Sequence, residues 1–440
     1  MCLCDGRHHR CGPPLQEGIT VRKNSTHDFS LSVSTSIEAR PPREAPAGGP
    51  ALDLRFAGAL TFSPEGVLFV GDNHSGSIYA FEVPAETNGA PTTPSSVRNI
   101  DAKVAEILGV RAGAVEINDL AVHPVSRDIY ISVTRIGSFS SEPGIVRVSA
   151  RGELGLVDLA SLSFQKQALT EFPSDDTAFK VRSSGPTPPF PRDVAKGAVA
   201  IRSLAIMDLE FYEGELFVAG VAYDNFRSAL RRISYPFDGT QHVAAVEMFH
   251  IAHDQYESRA PIRAMSVQEI DGKAQLVAAY TCSPVVLVPL AEIVDGAKIS
   301  ARTIIDLGNG QPLDMIAFER NGQPMLFVTN NSRSPQVIPV EGLHGAKVVT
   351  REDLPRGGKF DMHPLMPFGP VGKTMMFEGV PLHMALVGDA HFASITRDAY
   401  SGDLNLDVNP ASFPNRIHNL LSEADFPPID SDSDSPAAGG

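Results

Sequence analysis

The sequence predicts an all-β chain: a single β-propeller of six blades (seven is the alternative count), each a four-stranded antiparallel sheet. Three observations carry this. A pattern of apolar strand, tight turn, second apolar strand and polar loop recurs six times. Most of its turns place Gly after an acidic residue or Asn, where a tight hairpin needs positive φ. The second strands begin near residues 68, 129, 216, 276, 326 and 385, with steps of 61, 87, 60, 50 and 59. A period of 50–60 residues holding several strands is the signature of propeller blades.

The first 50 residues read as a disordered leader and linker. They open with MCLCDGRHHRCG, in which Cys2, Cys4, Cys11, His8 and His9 could hold a soft metal, although the spacing fits no common zinc module. No apolar core of a secretory signal is visible there. Ala39–Pro50 is rich in Pro, Gly and Ala, as linkers are. Residues 27–37 (HDFSLSVSTSI) alternate and could supply a strand that closes the ring.

The propeller is expected over residues 51–415. Its six copies are Ala59–Asp72, Leu120–Val133, Leu209–Gly220, Ala264–Tyr280, Met315–Asn330 and the more divergent Thr374–Asp389. Five turns carry the dipeptides Glu65-Gly66, Glu213-Gly214, Asp271-Gly272, Asn321-Gly322 and Glu378-Gly379. Third strands are expected at Ile78–Val83, Ile145–Val148, Val285–Val288 and Gln336–Val340. Fourth strands are expected at Val246–Phe249, Lys298–Ile305 and Ala346–Thr350. Leu60, Phe62, Leu68, Val70, Phe211, Phe217, Phe318 and Phe327 are the expected core. The 87-residue step marks an insertion near residues 151–200, including the Pro-rich Ser183–Asp193. Ile100–Leu108 is the best helix candidate. From residue 421 the chain reads as a solvated acidic tail.

Composition narrows the function classes. The 440 residues are 42% apolar and 20% charged, with 37 basic and 52 acidic side chains and a net charge of −15. A nucleic-acid or anionic-membrane binder needs clustered Lys and Arg, so neither is expected. The apolar runs are too short for a membrane span. Four Cys in this length exclude a disulfide scaffold. The absence of Trp tells against a WD-repeat protein. No G-x-S-x-G, H-E-x-x-H, P-loop or C-x-x-C-H motif occurs.

Antiparallel meanders sort loops by end. One face should collect the loops between strands two and three together with the crossovers. Of 13 histidines, five fall there by this sorting: His74, His250, His253, His363 and His391. His250-Ile-Ala-His253 is the sharpest element, because imidazoles three apart can chelate Zn or Cu. The loops GDNH (Asp72, His74) and GDAH (Asp389, His391) lie in the first and last copies, which ring closure should make neighbours. Together they suggest a metal site of His74, His250, His253 and His391; the alternative is separate surface histidines.

Asp119, Asp208 and Asp314 fall where the innermost strands begin, with Arg263 in the fourth copy. Three carboxylates at a channel mouth repel unless they bind a cation, pair with an arginine or accept backbone N–H bonds. The sharp reading makes Asp119, Asp208 and Arg263 catalytic; the bland one makes each Asp a cap on its neighbour. Arg259, Asp314, Cys282 and Asn330 are the candidate substrate contacts. Cys282 is equally a candidate metal thiolate, a nucleophile, or a small buried hydrophobe.

The repeats, above all FSPEGVLFVGDNHSGSIYAF (Phe62–Phe81), resemble the NHL, YVTN and SMP-30-type propellers. EINDLAVHPVSRDIYISV, AYTCSP and GNGQPLDMIAF resemble a group of uncharacterised bacterial propeller proteins, which implies export. The SMP-30 resemblance implies a divalent cation, Ca among others, held at the channel by a Glu/Asn/Asp ring. Asn118, Asp119 and Asp208 fill part of such a ring, while Gly58-Ala59 stands where an acidic ligand is expected. The preferred expectation is a propeller that binds a small molecule or metal ion on its loop face, as a metal-dependent oxidoreductase or hydrolase. A non-catalytic protein-interaction platform is the rival, with Phe139, Tyr223, Phe226 and Tyr256 as its aromatic candidates; a structural envelope or matrix protein is a third reading.

Overall fold

A computed structural model describes residues 51–85, 93–137, 140–174, 177–180, 198–223, 227–308, 310–331, 334–353, 369–370, 373–374 and 379–411. The 1–50 leader with its Cys/His cluster and 27–37 strand, the Pro-rich 183–193, Phe139, Phe226, His363, and the 421–440 tail lie outside these residues. The described residues are all-β, as in a β-propeller, and six meanders can be traced in them.

Each meander begins with the strand nearest the centre. The inner strands are Leu60–Phe62, Val115–Val122, Asp208–Tyr212, Ile262–Ile270, Pro312–Arg320 and Val380–Val387. We call their blades first to sixth in chain order. Turn chemistry sets three inner hairpins. Tyr212 pairs with Glu215, Ile270 with Lys273 and Arg320 with Gln323. The two residues between, Glu213-Gly214, Asp271-Gly272 and Asn321-Gly322, all have positive φ. That backbone twist matches the flanking strands.

The inner strands pack in a closed cycle, but not in chain order. Going round, the second blade touches the first, then come the third, fourth, fifth and sixth, and the sixth returns to the second. The expectation that first and last blades are neighbours is therefore corrected. The reason lies in the link between the first two blades. Val97 in that link exchanges backbone hydrogen bonds with Leu406 of the sixth blade, at 2.8 and 2.9 Å. The helix Ile100–Ile107 then buries Ile100 and Val104 in the core shared by the second and sixth blades. The chain later recrosses, and Phe164–Ala168 becomes the outer strand of the first blade, paired with Ser77–Glu82. Leu154–Leu156 completes the second blade. Residues 154–168 thus belong to blades, which corrects the reading of the whole stretch 151–200 as an insertion.

The core is divided among the blade interfaces. One apolar cluster lies between each neighbouring pair round the cycle. Leu60, Leu68, Val70, Phe217, Phe318 and Phe327 are buried as expected, and Phe62 and Phe211 pack partly buried against the clusters. Each fully buried Leu or Phe contributes about 1.5–3 kcal/mol, so every interface is a substantial apolar seam.

Two further elements differ from expectation. The fifth blade is edged by Lys373–Thr374 and not by Ala346–Thr350. In the sixth blade Val380–Val387 is the inner strand and not the second, so Gly388–Ala390 is its inner hairpin turn. Gly379 precedes that strand with positive φ, and Glu378 lies outside the described residues.

Candidate functional site: the channel pocket

Aspartate recurs where three inner strands enter the ring. Asp119 Oδ1 accepts the N–H of Leu120 and its Oδ2 the N–H of Leu60 in the first blade, both at 2.8 Å. Asp208 accepts from Leu209 at 2.8 Å and from Met265 of the fourth blade at 2.7 Å. Asp314 accepts from Met315 at 2.6 Å and from Met384 of the sixth blade at 2.5 Å. Each carboxylate therefore clasps the next inner strand. The six blades fall into three clasped pairs, and the equivalent positions on the receiving strands are Ala59, Ala264 and His383.

Strand irregularity turns these positions inward. The ladders shift register between Ile117 and Asp119, between Ile262 and Ala264, between Pro312 and Met315, and between Pro381 and His383. A bulge bends its strand and re-aims the side chain beside it. Asp119, Arg263, Asp314 and His383 sit at these shifts; together with Asp208, whose ladder is regular, they come from five different blades and line one cavity of about 570 Å³. Asn118, Phe56 and Arg397 line it too. Asn118 donates to Ala57 O and Thr134 Oγ1 at 2.8 and 2.9 Å.

The electrostatics follow from packing like charges together. Burial, with the Asp314, Asp119 and Glu210 charges, pushes Asp208 well above the usual carboxylate range. Burial and the Asp119 charge push Asp314 up to about 8, against its two backbone hydrogen bonds and the Arg263 guanidinium. His383 Nδ1 stands 3.4 Å from Asp119 Oδ1. Donor atoms of Asp119, Asp314 and His383 all lie within 4.8 Å of one another. Arg263 Nε is buried in the cavity wall without a hydrogen-bond partner.

A second group gathers at the rim, where donor atoms of His250, His253 and Cys282 also lie within 4.8 Å of one another. The other expected ligands are elsewhere. His74 is exposed and lies against Phe56 in a tilted contact with ring centroids 5.1 Å apart; its loop is closed by Asp72, which accepts the N–H groups of His74 and Ser75. His391 starts the second strand of the sixth blade. The inner turn before it lies against Arg127, in the inner turn of the second blade, at the end opposite to the crossovers. The expected convergence of GDNH, GDAH and HxxH is thus not met: the sixth copy was misregistered and the first blade does not neighbour the sixth. Arg259 is exposed and Asn330 buried, and neither lines the cavity.

No family model matches this chain, and no curated protein does. Solved structures that are similar include a mitotic checkpoint complex chain (10% identity, 90% of this chain and 98% of that one covered, TM-score 0.29). A luciferin-regenerating enzyme is similar at 9% identity, covering 80% and 90% of the two chains, with TM-score 0.33. Chaetomium thermophilum Raptor is similar at 12% identity, covering 80% and 28%, with TM-score 0.31. No helix among the described residues is long and apolar enough to cross a membrane.

Proposed function

We propose that the channel pocket is the ligand site of this propeller, and that it takes a divalent cation together with a small anionic organic molecule. One observation carries the reading: five charged or titratable side chains from five blades line one cavity. Structural clasping alone accounts for three aspartates. It does not account for His383 beside Asp119, nor for an arginine whose buried Nε has no partner.

The donor set fits such an ion. Two carboxylates and an imidazole suit Zn²⁺, Mn²⁺ or a related cation, and their oxygens are already oriented by backbone N–H groups. Asp119, Asp314 and His383 would hold it. A bound ion there would acidify a water or polarise a carbonyl, which makes hydrolysis the favoured reaction class. Asp208 is the residue to move a proton, because burial among carboxylates keeps its affinity for one high. Arg263 would orient the anionic end of the substrate.

Calorimetric titration with Mn²⁺ tests the reading. The wild type should bind about one ion in the channel, and Asp314→Asn or His383→Ala should weaken binding on the order of 10- to 100-fold. Binding unaffected by both variants, or no binding of Mn²⁺, Zn²⁺ or Ca²⁺ at all, overturns it. Carboxylic and phosphoric ester panels, run with the saturated protein, then test the hydrolase assignment.

A further inference from the structure

The rim cluster is a second arrangement, built by different elements and of different chemistry. The outer strand Gln241–His250 of the third blade ends in a tight turn, Ile251–His253, and the short strand Gln255–Glu257 folds back on it. His250, His253 and Glu257 are thereby brought together. Cys282 reaches them from the loop between strands two and three of the fourth blade. The turn is pinned from outside, since Arg351 donates to Asp254 Oδ1 at 2.8 Å and to Asp254 O at 2.7 Å.

His250 is fully buried, yet its Nδ1 has no hydrogen-bond partner of good geometry. It stands 3.2 Å from Glu257 Oε2. His253 Nδ1 pairs with the other oxygen, Glu257 Oε1. The two imidazole centroids are only 4.0 Å apart. His250 Nε2 lies 3.3 Å from Ser283 Oγ, which fixes the ring. Two imidazoles and a thiol thus lie with donor atoms within 4.8 Å of one another, and one carboxylate stands against both rings.

We infer that His250, His253, Cys282 and Glu257 form a site for a borderline transition-metal ion, Zn²⁺ foremost. Sulfur and imidazole nitrogen select against Ca²⁺ and Mg²⁺, which want oxygen. Four donors of N, N, S and O type suit the tetrahedral preference of Zn²⁺. His253 is exposed, so the ion has a path from solvent, while His250 closes the inner side. The site is independent of the channel pocket and contains the HxxH pair but neither His74 nor His391.

The test uses the full chain with Cys2, Cys4 and Cys11 changed to Ser, which leaves Cys282 as the sole thiol. Titration with Co²⁺ should give a thiolate charge-transfer band, which only this site can produce, with the visible bands of a tetrahedral ion, and Zn²⁺ should bleach it. Cys282→Ser should abolish the charge-transfer band. His253→Gln, at an exposed position that leaves folding intact, should weaken Co²⁺ on the order of 100-fold. Asp314→Asn should leave the band unchanged, which separates this site from the channel. A folded protein with no thiolate band, or Zn²⁺ that fails to slow alkylation of Cys282, overturns the inference.

Discussion

At the scale of single residues, burial of charge is the recurring device. Glu210 is a clear case. Its Oε1 accepts the N–H of Val267 at 3.1 Å, and burial outweighs that bond, raising its pKa from 4.5 to about 7. The folded protein thus keeps a proton that the unfolded chain loses above 4.5, so stability is greatest below that pH and falls as pH rises to about 7. Glu210→Gln keeps the acceptor and removes the charge. Its urea midpoint should match wild type near pH 4 and exceed it at pH 8; parallel curves across that range would contradict the assignment. Arg231 is the basic counterpart. It is fully buried, with guanidinium nitrogens 3.3–3.4 Å from the carbonyls of Thr170, Glu171, Ala205 and Val221. Burial lowers its pKa to about 10, so it still carries the charge at neutral pH that ties the recrossing segment to the third blade.

At the scale of elements, ring closure depends on a short link. Val97 is held to Leu406 by a reciprocal pair of backbone bonds, and Ser96 Oγ accepts the N–H of Val408 at 2.9 Å. Val97→Pro removes one donor and should cost about 1–3 kcal/mol, read as a lower midpoint in thermal unfolding. An unchanged midpoint would show that closure rests on the helix alone. The hairpins themselves were legible in the sequence, because Glu-Gly, Asp-Gly and Asn-Gly turns advertise positive φ locally. The sixth copy was not. Its TMMF run imitates an inner strand, and reading it so displaced Leu382-His383-Met384 from its alignment with Asn118-Asp119-Leu120. Correct register would have placed His383 at the ring position. Glu257 lay hidden because its three-residue strand has no counterpart in the other copies.

At the scale of the whole molecule, the order of blades round the ring was beyond a reading of repeats. It is set by contacts hundreds of residues apart, such as Val97 with Leu406, which leave no local pattern. The convergence of Asp119, Asp208 and Asp314 was nevertheless legible, since every inner strand delivers its first residues to the same end whatever the blade order. The three clasped blade pairs give the ring an approximate threefold character, and His383 breaks it by standing where the other two receiving strands carry Ala59 and Ala264. That departure sits in the pocket assigned to the ligand. The most direct measurement is an anomalous difference map from crystals grown with saturating Mn²⁺. The account predicts a peak within bonding distance of Asp119, Asp314 and His383. A well-ordered channel with no peak there would contradict it.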